Sequence, residues 1–178
     1  MNDRSHIVVP THARRARKLA AALCVACLLA ARPAYADIFL TPWIGGNGGA
    51  PTGASLVDVG GAIGVTAGNL VDFDFDLGYS PDFYGSRVSS SLVSAITDVT
   101  IGIPIGHRDR LQLRPYVTGG LGVVLSRNDD IGAAFGGGVT VFTNSHLGVR
   151  ADVRTIQSLH DSSGRVSFWR TSIGVVIR

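Results

Sequence analysis

From Asp37 to its end the chain has no cysteine, and all 178 residues include no glutamate and a single lysine, Lys18. Without cysteine that portion can form no disulfide and run no thiolate chemistry. The lack of Lys and Glu is more telling. A water-washed protein surface commonly draws about a quarter to a third of its positions from charged residues of mixed kind. Here all ten basic residues after Asp37 are arginine and all acidic ones, Asp37 included, are aspartate, twelve of them. No apolar run is long enough for a transmembrane helix, which needs roughly 20 residues. Sustained helical periodicity is also missing after Asp37, which excludes a helix bundle.

The apolar run that does exist, Leu19 to Ala31, follows a basic stretch with Arg14, Arg15, Arg17 and Lys18 and precedes Ala34-Tyr35-Ala36. A basic region, a short apolar region and a small-x-small site are the parts of an export signal. Residues 1–36 are therefore expected to be a signal peptide, with Asp37 the new N-terminus and 37–178 one domain. The alternatives are a membrane anchor, a mis-assigned start, or a lipoprotein acylated at Cys27. Cys24 stands where a lipobox normally carries leucine, which disfavours the last. Arg14-Arg15 lacks the rest of a twin-arginine pattern, so the general export route is expected. Removing 1–36 turns a formal charge of +3 into −2, ten arginines against twelve aspartates. The basic balance that could suggest nucleic-acid binding belongs to the targeting segment.

What remains alternates. In Asn69 to Ser80, NLVDFDFDLGYS, the apolar Val71, Phe73, Phe75, Leu77 and Tyr79 interleave with Asp72, Asp74, Asp76 and Gly78. Only the two-residue period of a strand puts all three carboxylates on one face. Similar segments recur, giving eight expected strands: Asp37 to Gly46, Ser55 to Ala67, Asn69 to Ser80, Leu92 to Ile105, Leu111 to Leu125, Ile131 to Phe142, His146 to Gln157 and Val166 to Arg178. Pro42 suggests an irregular start to the first, and Pro115 a local fault in the fifth. The connections Gly68, Gly106 to Arg110 and Thr143 to Ser145 are tight-turn sequences. Asn47 to Ala54, Pro81 to Ser91 and Leu159 to Arg165 are longer loops, and only Ser126 to Asp130 breaks the alternation.

An all-β chain with short turns at one end, longer loops at the other and an even strand count has the layout of a transmembrane barrel. The polar faces hold Gly, Ser and Thr with a few charges that segregate by strand. Asp58, Asp72, Asp74, Asp76 and Asp98 lie on the second to fourth segments. Arg114, Arg150, Arg154 and Arg170 lie on the fifth, seventh and eighth, with Asp152 beside two of them. In an eight-stranded barrel the two sets face each other across the lumen, where Arg–carboxylate pairs would satisfy both. Trp43, Tyr79, Phe83, Tyr84, Phe168 and Trp169 fall near segment ends, where an interfacial aromatic girdle lies. Ordinary core placement explains them equally well.

On the aspartate segment, the run Arg114-Pro115-Tyr116-Val117-Thr118-Gly119-Gly120-Leu121-Gly122 and the closing Phe168-Trp169-Arg170 to Val176, the chain resembles the small eight-stranded outer-membrane β-barrels of Gram-negative bacteria, the OmpA/OmpX-like and opacity-type porin superfamily. The resemblance covers Asp37 to Arg178. It implies an eight-stranded antiparallel up-and-down barrel in the outer membrane, a monomer whose partners are outer-membrane lipid and the barrel-assembly machinery, with no nucleic acid and no cofactor. A wall-anchoring role like that of the longer relatives is not expected. Such barrels usually finish on an aromatic residue that assists assembly, whereas this chain ends in Ile177-Arg178.

Other chemistry is weakly supported. Asp72-x-Asp74-x-Asp76 looks like a calcium loop, but Leu77 and Phe83 hold the places of its required glycine and glutamate. His160 near Ser162 is the best catalytic pair, with no third group to orient it, and His107 and His146 have no partner chemistry in sequence. The runs Gly45-Gly46-Asn47-Gly48-Gly49 and Gly136 to Gly138 precede no helix, so they make poor phosphate cradles. The expectation is a non-enzymatic barrel with a side-chain-filled interior. The alternatives are a narrow porin-like channel or a secreted soluble β-barrel holding an apolar ligand.

Overall fold

A computed structural model describes residues 36–49, 57–81, 83–84, 91–106, 111–125, 130–159 and 167–178. The segment expected to be a signal peptide lies outside these residues except for Ala36, and so do Cys24, Cys27, His107, His160 and Ser162.

Every described element is a strand: β1 (Ala36–Gly48), β2 (Asp58–Ala67), β3 (Val71–Ser80), β4 (Leu92–Gly102), β5 (Ile105–Gly106), β6 (Gln112–Leu125), β7 (Asp130–Phe142), β8 (Leu147–Ser158) and β9 (Ser167–Ile177). Eight long strands pair antiparallel with their neighbours, and β9 returns to β1, closing the sheet. The two-residue β5 continues the line of β4 along β6 after a break at Ile103–Pro104. Proline at 104 has no N–H to give to the ladder, which accounts for the break.

The register defines the cylinder. From Ile38, successive partners are Val65, Phe73, Val99, Gly119, Phe135, Thr155 and Trp169, and the last pairs with Gly48. One circuit therefore advances ten residues, from 38 to 48. Ten residues of strand rise set against eight strand spacings tilts the strands by roughly 40° and leaves about 2.5 Å of axial rise per residue. Strands of 10 to 14 residues then span about 25–35 Å along the axis.

Sequence periodicity decides which side each residue takes. The aspartates of β3 are buried while Phe73, Phe75, Leu77 and Tyr79 are exposed. The same holds around the ring: among the described residues 32 large hydrophobic side chains are exposed, and every Asp and Arg within a long strand occupies an inward position. Apolar patches on monomeric soluble proteins rarely exceed a few hundred Å². An uncharged apolar belt around a whole barrel is the outside of a lipid-facing one.

Several local expectations change. Pairing of β1 with β2 runs unbroken through Pro42, which lies opposite Gly61. The disturbance appears on the other edge, where Thr41 and Pro42 have no register partner on β9. Pro115 stays in regular pairing with β7, and its fault appears on the other edge, where Arg114 and Pro115 have no register partner on β4 or β5. The turn after β2 spans 68–70 instead of Gly68 alone, with Gly68 at φ 70°, a conformation that favours glycine. Of the girdle candidates, only Tyr79 and Trp169 project outward among the exposed hydrophobics; Trp43, Phe83 and Phe168 are buried inside.

Candidate functional site: the charged interior

The barrel interior is filled in three layers. At the turn end Arg114 reaches across from β6 to β3 and grips Asp72 with both terminal nitrogens, at 2.6 and 3.2 Å. Phe39, Phe142 and Val176 pack beside this fork, and the Arg178 guanidinium lies 4.1 Å from the centre of the Phe142 ring. A cavity there, lined by Asp72, Arg114, Phe142, Arg150 and Arg178 among others, has a volume of about 10 Å³. That is room for one water molecule.

The middle layer is a continuous network. Arg150 on β8 donates from Nη1 to Asp74 at 3.2 Å and from Nε to the Tyr116 hydroxyl at 2.7 Å. Tyr116 in turn donates to Asp152 at 3.1 Å, and the Arg150 guanidinium stacks 4.5 Å over the tyrosine ring. Arg154 donates to Asp98 through Nη1 and to Asp152 through Nε and Nη2, at 3.3 and 3.2 Å, with Asp76 at 4.0 Å. Ser172 donates to the second oxygen of Asp152 at 2.8 Å. Arg170 on β9 donates to Asp76 at 2.9 Å and lies 4.2 Å over Trp43, whose indole N–H donates to the other Asp76 oxygen at 3.1 Å.

The placement follows from strand parity and closure. Residues two apart on one strand share a face. Asp72, Asp74 and Asp76 therefore form a column on β3, and Arg150, Asp152 and Arg154 a column on β8, and closing the sheet sets the columns opposite each other. Glycines make room for the long side chains. A Cβ at Gly102 would press on Arg114, one at Gly136 on Arg154 and one at Gly78 on Arg170.

The loop end is different in kind. Phe83, Leu92, Ile96, Val124, Ala134, Ile156 and Phe168 form an apolar cluster inside the mouth, with the Phe83 and Phe168 rings edge-on at 4.7 Å. Beside it Asn47 donates to Ser80 at 2.7 Å, and Ser80 donates to Asp58 at 2.8 Å.

Of the ten charged residues singled out in sequence, Asp72, Asp74, Asp76, Asp98, Arg114, Arg150, Asp152, Arg154 and Arg170 take part in ion pairs across or along the lumen. Asp58 is the exception: it is held by a serine instead of an arginine. Six carboxylates and four guanidinium groups leave this set with a charge of −2. Sequence reasoning missed the parts played by Trp43 and Tyr116. Their parity with Thr41 and Arg114 carried the signal, since aromatic residues on a polar face have buried hydrogen-bonding work to do. It also missed the apolar plug, because Phe83 lies past the end of β3, where alternation no longer reports direction. His146 sits exposed in the turn before β8, 2.9 Å from Ser145 Oγ, with no third group assembled on them among the described residues.

No protein-family model matches the sequence, and no curated protein matches it significantly. Solved structures do. The N-terminal β-barrel domain of Pseudomonas aeruginosa OprF aligns over 80% of this chain and 98% of its own, at 18% identity and a TM-score of 0.55. Neisserial surface protein A, NspA, aligns over 79% of this chain and 94% of its own, at 11% identity and a TM-score of 0.57. Both are small outer-membrane barrels, and at these identities the likeness is one of fold: a closed, antiparallel, eight-stranded barrel.

Proposed function

We propose that the protein is an integral outer-membrane β-barrel, exported by its N-terminal segment, with no catalytic activity and a structural or surface-interaction role. The observation that carries this reading is the inverted distribution of polarity. The outer wall is uncharged and apolar, and the charges are paired inside. In water the exterior would drive aggregation; in lipid it is the favourable face. A soluble barrel holding an apolar ligand fits neither side, because its interior is already occupied by arginines and aspartates.

The filled lumen argues against a diffusion pore. Eight strands leave an interior just wide enough for side chains, and here an apolar plug, an ion-pair network and an aromatic layer occupy it in series. The loops at the plugged mouth are then the part available to a surface partner. A narrow cation path is the second reading, favoured by the excess of carboxylates over guanidinium groups among the interior charges.

Cell fractionation with a heat-modifiability gel tests the first claim: the protein should pellet with outer membranes and shift mobility on boiling. Recovery in the soluble periplasm without detergent would overturn it. Planar-bilayer recording tests the second. A silent bilayer is expected, whereas discrete openings whose selectivity changes in Asp74→Asn would establish the channel.

A further inference from the structure

The belt is lopsided. On β6 the outward positions Leu113, Pro115, Val117, Gly119, Leu121, Val123 and Leu125 are free of hydrogen-bonding side chains from end to end, and on β7 so are those from Ile131 to Val141. On β8 the unbroken outward apolar run is Leu147, Val149, Ala151 and Val153, after which Thr155 and Gln157 face out before the exposed Leu159 just past the strand end. On β9 it is Ile177, Val175 and Ile173, followed by Thr171, Trp169 and Ser167. On β1 the last outward apolar side chain is Ile44, with only the glycines Gly46 and Gly48 above it. At about 2.5 Å of axial rise per residue, the apolar run is about 30 Å tall on β6 and about 15 Å on β8. A transmembrane barrel usually presents about 25 Å.

Thr97 on β4 also faces out, alone among apolar neighbours, but the polar positions of β8 and β9 form one patch. Thr155 pairs with Trp169, Gln157 with Ser167, Thr171 with Gly46 and Trp169 with Gly48. The Trp169 ring lies across Gly48, where a Cβ would collide with it, and Thr171 Oγ donates to the Gly46 carbonyl at 3.4 Å. Tilting the barrel cannot repair the shortfall. The turn-end edge on β8 and β9 stops at Leu147 and Ile177, no lower than Leu113 on β6, so a tilt that raises one edge into register lowers the other out of it. A short apolar surface is accommodated by thinning of the bilayer or by oligomerisation.

We propose that the loop-end outer face of β8, β9 and β1 is a lipid-docking surface against which the headgroup layer descends by about 10 Å, thinning the bilayer locally. This rests on the outer-membrane reading above. The chemistry suits the uncharged ester and hydroxyl groups of that layer. Thr155, Gln157 and Ser167 supply neutral donors and acceptors, Trp169 is an amphipathic ring that favours the interface, and among the described residues the patch has no cation to select a phosphate.

The chain has two tryptophans, and Trp43 is inside the lumen, so Trp169 is a lipid-facing reporter. The experiment is depth-dependent fluorescence quenching in vesicles of phosphatidylcholine brominated near the carbonyl, at mid-chain or near the chain end. The comparison is W169F/V123W, which moves the reporter to β6 at nearly the same axial height. Trp169 should be quenched at least threefold more by the shallow bromine than by the mid-chain one, and V123W should show the reverse order. In T155V/Q157L/T171V the Trp169 profile should move to match V123W. Identical profiles for Trp169 and V123W would overturn the proposal. So would a Trp169 shielded from every bromine while V123W is quenched, since a second copy of the chain would then cover the patch. Quenching of neither reporter would mean that the barrel is not inserted, a failure of the outer-membrane reading itself.

Discussion

Arg154 is the side chain whose removal should reveal most about the interior. It is 1% exposed, it donates to Asp98 and Asp152, and Asp76 lies 4.0 Å away. In Arg154→Met, a volume-conserving change, the three carboxylates do not suffer equally. Asp152 keeps Arg150, Tyr116 and Ser172, and Asp76 keeps Arg170 and Trp43. Asp98 is 0% exposed and among the described residues its one ion pair is with Arg154, so it is left as a buried, uncompensated charge. Breaking a buried pair from one side costs about 3–5 kcal/mol, against roughly 0–1 kcal/mol for an exposed one. The assay is urea unfolding of the barrel in phospholipid vesicles, followed by tryptophan emission and by the heat-modifiability gel. Arg154→Met should lose about 3–5 kcal/mol, and the double variant R154M/D98N should recover at least about 2 kcal/mol of that, because the orphaned charge is gone. A loss below about 1 kcal/mol, or strict additivity of the two changes, would show that water already solvates the network and would refute the dry, ion-paired interior.

Three further outcomes follow from the same structure. Phe75→Arg places a cation near the middle of the lipid-facing belt and should cost about 2–4 kcal/mol in vesicles and reduce membrane insertion in cells; Asp74→Asn should insert normally but unfold at lower urea, and the opposite pattern would mean that the faces are reversed. Gly120→Ala would drive a methyl group into the Thr97 carbonyl and the Asp98 carboxylate, so a loss of about 1–3 kcal/mol is expected from thermal or urea melts. Phe83→Ala empties the centre of the loop-end plug, where Phe83 is 0% exposed; it should lower stability by about 3–5 kcal/mol while leaving planar bilayers silent, because the ion-pair layer beneath still fills the lumen.

Strand number, strand faces and the sorting of aspartate from arginine were legible in the linear chain because each follows from local, period-two alternation. Asp72, Asp74 and Asp76 could sit on one face in no other regular structure. The outward direction of Phe73 and Phe75 followed from composition, since no Lys or Glu was available to clothe a water-facing wall. Which arginine meets which aspartate was not legible. Apart from Asp152, which meets Arg150 and Arg154 two residues away on its own strand, those partners are 42 to 94 residues apart in sequence, from Arg114–Asp72 to Arg170–Asp76, and they meet only once closure of the sheet with its ten-residue advance sets β3 and β4 across the lumen from β6, β8 and β9. Trp43 and Tyr116 joined the network for the same reason: parity put them inside, and only the cylinder supplied Asp76, Asp152 and the two arginines around them. Alternation stops at strand ends, so the inward fold of Phe83 was out of reach of any periodic reading. The lopsided belt combines both kinds of information. The polar outward residues Thr155, Gln157, Ser167 and Thr171 are plain in the sequence, but their meaning as a single patch depends on three strands, two of them the chain's first and last, lying side by side. Alternation along the chain determined what each strand shows to its two sides, and closure of the barrel, a property of all eight long strands together, decided which residues became neighbours.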